Sequence, residues 1–133
     1  MAISYLNEGQ IRLKAARSAV RKKNFAFAIR QSQECVELSL KGVLRFVGID
    51  PPKWHDVGAI LKKEISRFPD WFKVHIDELA LISRELRRER EPSIYGDSES
   101  NIPAKDLYTK SDAKEAFKNA SLVASLCNKL FEQ

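Results

Sequence analysis

The feature that most constrains this chain is a long apolar stripe at helical spacing between Phe25 and Val47. Its members recur every three or four residues, which predicts an amphipathic helix rather than a strand. They are Phe25, Ala28, Ile29, Ser32, Cys35, Val36, Ser39, Leu40, Val43, Leu44 and Val47. The small side chains within the stripe favour close approach of a second helix. Asn24 is the expected N-cap of this helix, and Gly48 is expected to end it.

The rest of the chain keeps the same helical periodicity, and no segment alternates as a strand would. We predict a first helix over 3–22, a third over 53–67 and a fourth over 71–91. Residues 92–110 are rich in turn formers and predict a long loop. Ser111 is the expected N-cap of the last helix. The chain is therefore predicted to be all-α, with about five helices.

At 133 residues the chain is expected to be one domain, 1–133, that buries a core without help from metals or disulfides. Cys35 and Cys127 fall on apolar helix faces and form no CxxC pair, so we predict that they are small core residues. No metal site and no cofactor are expected, because the histidines lie in no ligand motif. The sequence shows no signal peptide and no membrane span, which makes a cytoplasmic protein the default expectation.

The net charge of +5 and the isoelectric point of about 9.3 leave two interpretations open. A basic surface suits an anionic partner such as RNA, DNA, a nucleotide or an acidic protein. A basic protein with no nucleic-acid role has the same composition. The local clustering of arginine has to decide between the two.

The strongest basic cluster lies at the end of the fourth predicted helix. It consists of Arg84, Arg87, Arg88 and Arg90, and the first three share one helix face. Guanidinium groups match phosphate oxygens, so the cluster predicts a phosphate-binding strip. The glutamates interleaved with it equally suit a solvated, ion-paired face. Just beyond the cluster, Tyr95 is a candidate for stacking on a base, and Asp97 is a candidate for holding an arginine in place.

Two polar pairs occur where helices should pack. Glu37 and Lys41 are spaced for a helical ion pair, which either braces the helix or lines a groove beside the fourth helix. His55 and Asp56 open the third predicted helix. There His55 is a candidate acid–base group or phosphate contact, or a first-turn residue that bonds to a neighbouring helix. His75 is predicted to be a half-buried packing residue.

Taken in order along the chain, these motifs resemble the HEPN family, whose name refers to nucleotide binding in higher eukaryotes and prokaryotes. The matching residues are Lys23, Asn24, Phe25, Glu37, Lys41, Gly48, Pro51, Pro52, Lys53, His55, Asp56, Arg90, Tyr95, Gly96 and Asp97, followed by an Ala-rich last helix. The resemblance covers nearly the whole chain. It implies an antiparallel up-and-down helical bundle that forms a homodimer. It also implies a minimal nucleotidyltransferase as a partner in a toxin–antitoxin system.

Active members of the family are metal-independent ribonucleases, with an Arg followed four to six residues later by a His. In this chain Arg90 is followed at that spacing by Tyr95, and a tyrosine that holds its proton at neutral pH is a poor general base. The resemblance therefore implies a binding module for nucleotide, RNA or a partner, with little or no catalysis. Its implied ligand-binding residues are Arg84, Arg87, Arg90, Tyr95, Asp97, Lys41, Glu37, His55 and Asp56.

Two other hypotheses stay open. A metal-independent ribonuclease with an altered site would place Arg90 on the phosphate and use Tyr95 or His55 as the acid–base group. A structural partner protein would instead scaffold an enzyme through an exposed apolar patch. The candidate members of that patch are Trp54, Trp71 and Tyr108.

Overall fold

The computed structural model describes residues 1–51, 53 and 56–132, and most of them are helical. The helices are α1 (Ala2–Arg21), α2 (Phe25–Phe46), α3 (Val57–Lys63), α4 (Asp70–Lys73), α5 (Ile76–Arg88), α6 (Pro92–Tyr95), α7 (Ala104–Leu107) and α8 (Lys110–Phe131), with a 3-10 turn at Ile65–Arg67. Within the described ranges there is no strand, and the only β-type pairing is an isolated bridge between Asp97 and Ile102. The prediction of an all-α helical bundle is confirmed.

The first two long helices form an antiparallel hairpin around a turn over 22–24. Lys23 adopts a left-handed backbone conformation with φ of 61°, which reverses the chain. The Asn24 amide then donates to the Ala19 carbonyl at 2.9 Å and satisfies an acceptor at the end of α1. Asn24 is the N-cap residue of α2, as predicted, although its side chain makes no capping hydrogen bond.

The central helix of the bundle is α2, which packs against α1, α3, α5 and α8. The predicted stripe is its buried face, and Cys35, Leu40, Val43 and Leu44 are fully buried. Cys127 from α8 is also fully buried, so both cysteines are core residues, as predicted. Burial raises the pKa of the Cys35 thiol to about 11, since a thiolate is costly away from water.

The predicted fourth helix is broken into α4 and α5, and this differs from the sequence-based expectation. Phe72 is fully buried and stacks on Phe68 with ring centroids 5.0 Å apart. To place Phe72 there and still bury Ile76, the chain makes a tight turn in which the His75 amide donates to the Phe72 carbonyl at 3.0 Å. His75 itself is half-buried, as expected.

The segment 92–110 is not a plain loop, because it contains the short helices α6 and α7. Between them the Asp97 amide donates to the Ile102 carbonyl at 2.8 Å, and the reciprocal bond measures 3.0 Å. A Cβ at Gly96, where φ is +78°, would lie 2.3 Å from the Ile102 carbonyl oxygen. Only glycine therefore suits this tight reversal. In the described part of the chain, no helix is both long and apolar enough to span a bilayer.

Candidate functional site

The chain that leaves α5 runs between two cavities formed by described residues. One has a volume of about 870 Å³ and the other of about 240 Å³. Consecutive residues in the α6 turn face different ways, so Ile94 lines the smaller cavity and Tyr95 the larger. The two cavities differ in their charge.

The smaller cavity, which we call the arginine cavity, is built mainly on one face of α2. Residues three and four positions apart on a helix are neighbours, and this spacing brings most of its wall together. Arg12 from α1 and two residues beyond α5 complete the cavity. Its lining residues are Arg12, Arg30, Gln33, Glu34, Glu37, Leu38, Arg90 and Ile94.

Glu34 organises the charges of the arginine cavity. One of its carboxylate oxygens lies 3.3 Å from Nε of Arg12, and the other lies 3.3 Å from Nε of Arg30. Arg90 and Glu37, in contrast, have no ion pair within 4.0 Å among the described residues. The cavity therefore has two arginines that share one carboxylate, and a third arginine, exposed at its edge, that makes no ion pair with any described residue.

Gln33 is the most deeply buried polar side chain of this cavity, with 4% of its surface exposed. Its buried Oε1 atom has no hydrogen-bond partner in the part of the chain that the structure describes. Most buried polar atoms in folded proteins have one, so this carbonyl marks a place where a donor is missing.

The larger cavity, which we call the acidic cavity, lies on the other side of α6 and has no lysine or arginine among its lining residues. Its charged and aromatic members are Glu85, Glu89, Glu91, Tyr95, Asp97, Glu99, Tyr108, Asp112 and Glu115. Burial, with Glu89 beside it, raises the pKa of the Tyr108 hydroxyl above its usual range. A cavity with this many carboxylates repels phosphate groups.

The structure divides the predicted ligand-binding residues between these places. Arg90 is in the arginine cavity, whereas Tyr95 and Asp97 are in the acidic cavity. On α5, Arg84 is exposed and Arg87 is half-buried, and neither is among the lining residues of either cavity.

Asp97 does not hold an arginine within the described structure. Its Oδ1 accepts hydrogen bonds from the Glu99 and Ser100 amides at 3.0 and 3.4 Å, and it thereby shapes its own turn. Hydrogen bonding from Ser100 lowers the pKa of the Asp97 carboxyl. This residue therefore serves the local fold.

The two predicted polar pairs are also separated. Glu37 lines the arginine cavity and Lys41 does not, and within the described chain they make no ion pair with each other. Asp56 is the N-cap of α3, because its Oδ1 accepts from the Gly58 amide at 3.0 Å. His55 lies outside the described residues.

Sequence reasoning missed several members of the arginine cavity. Arg30, Gln33 and Glu34 follow the spacing that places Glu37 on the same α2 face, and that polar row is the signal that was available. The sequence predicts that the glutamates among these arginines lie on a solvated, ion-paired face, whereas in the structure Glu85 and Glu89 line the acidic cavity.

Two further expectations concern metals and apolar patches. Among the described residues there is no group of three or more His, Cys, Asp or Glu side chains that could hold a metal ion. Trp71 and Tyr108, two candidates for an exposed patch, are half-buried and pack against the core, while Trp54 lies outside the described part.

Comparison with known proteins identifies both the fold and the family model that fits this chain. The HEPN domain model matches residues 3–130. TT1696 from Thermus thermophilus is similar in structure, with a TM-score of 0.77, 22% identity and coverage of 96% of each chain. ST0689, an archaeal HEPN homologue, has a TM-score of 0.74 and 22% identity over 97% of this chain and 96% of its own. No curated protein matches the chain.

Proposed function

Because the chain belongs to the HEPN domain family, we propose that it is a module that binds the phosphate groups of nucleotides or RNA in the arginine cavity. One observation carries the proposal: the Arg90 guanidinium makes no ion pair with the described residues, and it lies at a cavity lined by two more arginines. A guanidinium offers a fork of N–H donors that matches phosphate oxygens.

The charges of the two cavities on either side of α6 also support a ligand that carries phosphate. Three arginines and two glutamates line the arginine cavity, which leaves it one net positive charge. Since the acidic cavity on the other side of α6 has no basic lining residue, a phosphate is favoured beside Arg90 and disfavoured beside Tyr95.

The experiment is a titration of single-stranded RNA and a nucleoside monophosphate into the purified chain. We expect Arg90→Ala to weaken binding about tenfold, because it removes a charge-assisted hydrogen bond. Its matched control is Arg88→Ala, which removes the same charge from an exposed neighbour that is not among the cavity's lining residues.

The salt dependence adds a second readout to this titration. Losing one phosphate contact should reduce the salt slope for single-stranded RNA by about 0.7 in Arg90→Ala. No RNA binding by the wild type at low salt, or equal losses in the Arg90 and Arg88 variants, would refute the proposal.

We also propose that the module has little or no ribonuclease activity. The support is the separation of Arg90 and Tyr95, which line different cavities, so a phosphate held by Arg90 lies away from the Tyr95 hydroxyl. RNA cleavage in the presence of EDTA tests this. Metal-independent cleavage by the wild type that is lost in both Arg90→Ala and Tyr95→Phe would establish the ribonuclease alternative instead.

We further propose that the chain forms a homodimer through the apolar side chains near the arginine cavity. Phe27 and Ile94 are 38% and 37% exposed, and Phe27 shares the face of α2 that lines the cavity. The double variant Phe27→Glu/Ile94→Glu should have the molar mass of a monomer in solution. Leu81→Glu charges an exposed site on α5, and this variant should keep the molar mass of the dimer. A monomeric wild type would refute this.

A nucleotidyltransferase partner and a toxin–antitoxin role are proposals that rest on the family alone. Co-purification with a minimal nucleotidyltransferase, and growth inhibition that this enzyme relieves, would support them. Growth that is unaffected by expression of this chain alone would count against the toxin role.

A further inference from the structure

Gln33 turns one end of its amide away from the arginine cavity and leaves the other end open to it. The side chain is 4% exposed and lines the cavity, and its Oε1 atom is sealed from solvent. The amide nitrogen has no hydrogen-bond partner within the described structure either, but it is not sealed in this way. Gln33 therefore presents an unused N–H donor to a ligand in the cavity.

Glu37 presents an acceptor beside that donor. It follows Gln33 by four residues on α2, so the two side chains are neighbours on one helix face, and both line the cavity. The Glu37 carboxylate makes no ion pair with any described residue. An ionised carboxylate only accepts hydrogen bonds, and it repels phosphate oxygens. The ligand group at this wall must therefore donate to Glu37 and accept from Gln33.

A sugar hydroxyl meets both requirements with one small group. Its O–H donates to a carboxylate, and its oxygen accepts from an amide nitrogen. In RNA the 2′-hydroxyl lies on the ribose carbon next to the one that carries the 3′-phosphate, so the two groups can enter one cavity together. The same hydroxyl is the group by which a protein distinguishes RNA from DNA.

We propose that the arginine cavity selects RNA over DNA by binding a 2′-hydroxyl together with the adjacent 3′-phosphate. The hydroxyl donates to the Glu37 carboxylate and accepts from Nε2 of Gln33, while Arg90 holds the phosphate. The inference rests on the proposed function, and it adds the substrate class of this site and two residues that determine its specificity.

The loss of the hydroxyl explains why DNA binds less tightly. In a deoxyribonucleotide no donor stands between the Glu37 carboxylate and the phosphate, so the two negative charges face each other. The amide nitrogen of Gln33 also stays without an acceptor. A site built to hydrogen-bond a hydroxyl rejects an analogue that lacks it, because the polar groups of the site are then left unpaired.

The size of the cavity agrees with this part of a nucleotide. Its volume of about 240 Å³ corresponds to about eight water molecules, which suits a phosphate group together with the hydroxyl and the two ribose carbons between them. Arg90 is exposed at the edge, where the phosphate enters, and Gln33 is buried. The base then stays outside the cavity, so the preference for RNA does not depend on the base.

Ligands that differ only in the hydroxyl test the proposal on the wild-type chain. Calorimetric titrations compare adenosine 3′-monophosphate with its 2′-deoxy counterpart, and the cytidine pair repeats the comparison on a second base. We expect the ribonucleotide of each pair to bind at least about tenfold more tightly, as for a hydrogen bond to a charged group. A short oligoadenylate is titrated as RNA, as DNA and as 2′-fluoro RNA. The fluoro strand keeps the sugar pucker of RNA but lacks the hydroxyl, and it should bind like DNA.

Substitutions at the two wall residues should reduce the preference in different ways. Glu37→Met removes the acceptor and the repulsion, so the ratio of RNA to DNA affinity should fall below about threefold while the affinity for DNA rises. Gln33→Met removes only a neutral donor, and it should lower the ratio at least about twofold.

Matched controls separate a lost contact from a change in charge or fold. Glu78→Met makes the same charge change at an exposed site on α5, and Gln10→Met removes an amide from α1. Neither residue is among those that line the cavity, so both variants should keep the full preference. Thermal unfolding should show Gln33→Met at least as stable as the wild type, because an unsatisfied buried amide is replaced by an apolar side chain of similar shape.

The outcomes distinguish this inference from the proposed function. Equal binding of the ribo and deoxy members of each pair overturns the selection of the hydroxyl and leaves the phosphate site standing. Binding of none of these nucleotides and strands overturns both. A preference that appears with one base only, or that the 2′-fluoro strand retains, overturns the inference, since the base or the sugar pucker is then recognised. A preference that is unchanged in both Glu37→Met and Gln33→Met also overturns it.

Discussion

The Tyr108 hydroxyl donates a hydrogen bond of 2.8 Å to Oε1 of Glu89, and this contact ties the residue before the cap of α8 to the residue after α5. Both side chains are half-buried at the acidic cavity. Since Tyr108 and Glu89 are 19 positions apart, the bond adds a polar contact between two elements whose apolar side chains also meet in the core.

Removal of this hydroxyl should make the fold less stable. We expect Tyr108→Phe to lower the free energy of unfolding by about 1 kcal/mol at pH 7, a typical cost for one hydrogen bond. Urea unfolding measures it. Tyr95→Phe is the control, because Tyr95 is 77% exposed and its substitution should change stability by less than about 0.5 kcal/mol.

The same pair predicts how stability depends on pH. Burial, followed by the hydrogen bond to Glu89, raises the pKa of Tyr108 above that of an unfolded tyrosine, which is about 10. Its contribution to stability is therefore complete below about pH 10, and it is lost as the pH rises through the folded-state value. The wild type should lose stability above about pH 10 faster than Tyr108→Phe does. Parallel curves would contradict this assignment.

Another prediction concerns the cap of α8. Thr109 accepts from the Asp112 amide at 3.1 Å, and Asp112 accepts from the Thr109 amide at 2.9 Å, which forms a capping box. Thr109→Ala should cost about 1 kcal/mol of stability. Ser111→Ala tests the cap expected from the sequence and should cost less than about 0.5 kcal/mol. The reverse order of the two losses would disprove the assignment.

The close approach of α3 and α5 gives a further prediction. A Cβ at Gly58 would lie 2.8 Å from the Ala80 Cα and 3.0 Å from its Cβ. Since backbone atoms cannot rotate away, Gly58→Ala should push α3 off α5 and cost about 1–3 kcal/mol. Thermal unfolding of the Gly58→Ala variant measures the loss of stability. Ala59→Ser, a substitution at the exposed neighbouring residue, is the control. An unchanged melting temperature would show that α3 shifts without penalty.

Much of the fold could be predicted from local sequence patterns. The stripe of α2 predicted a helix from Phe25 to Val47, and the helix runs Phe25–Phe46, because its periodicity and its boundary residues agree. The break between α4 and α5 could not be predicted in this way. Val74 and His75 are both compatible with a helix, and only the burial of Phe72 against Phe68 requires the turn.

The candidate site was harder to predict because its parts meet through tertiary structure. Arg12 and Glu34 are 22 positions apart and are joined at 3.3 Å only because α1 and α2 form a hairpin. The separation of Arg90 from Tyr95 depends on the α6 turn, which sends neighbouring side chains into different cavities. A linear motif of Arg followed by Tyr carries no information about that turn.

The last prediction uses the charge balance of the arginine cavity. Glu34→Gln keeps the size of the side chain but removes the carboxylate shared by Arg12 and Arg30. The Arg30 guanidinium then becomes available to a phosphate, and Arg12 keeps only a longer ion pair, with Glu8 at 3.9 Å. RNA affinity at low salt should rise severalfold, with a salt slope steeper by about 0.7 for each arginine recruited. Stability should fall by less than about 1 kcal/mol, because these ion pairs are partly exposed. Glu78→Gln makes the same charge change at an exposed site on α5, away from the cavity's lining residues. An equal gain in affinity in both variants would show that net charge, and not the arginine cavity, governs binding.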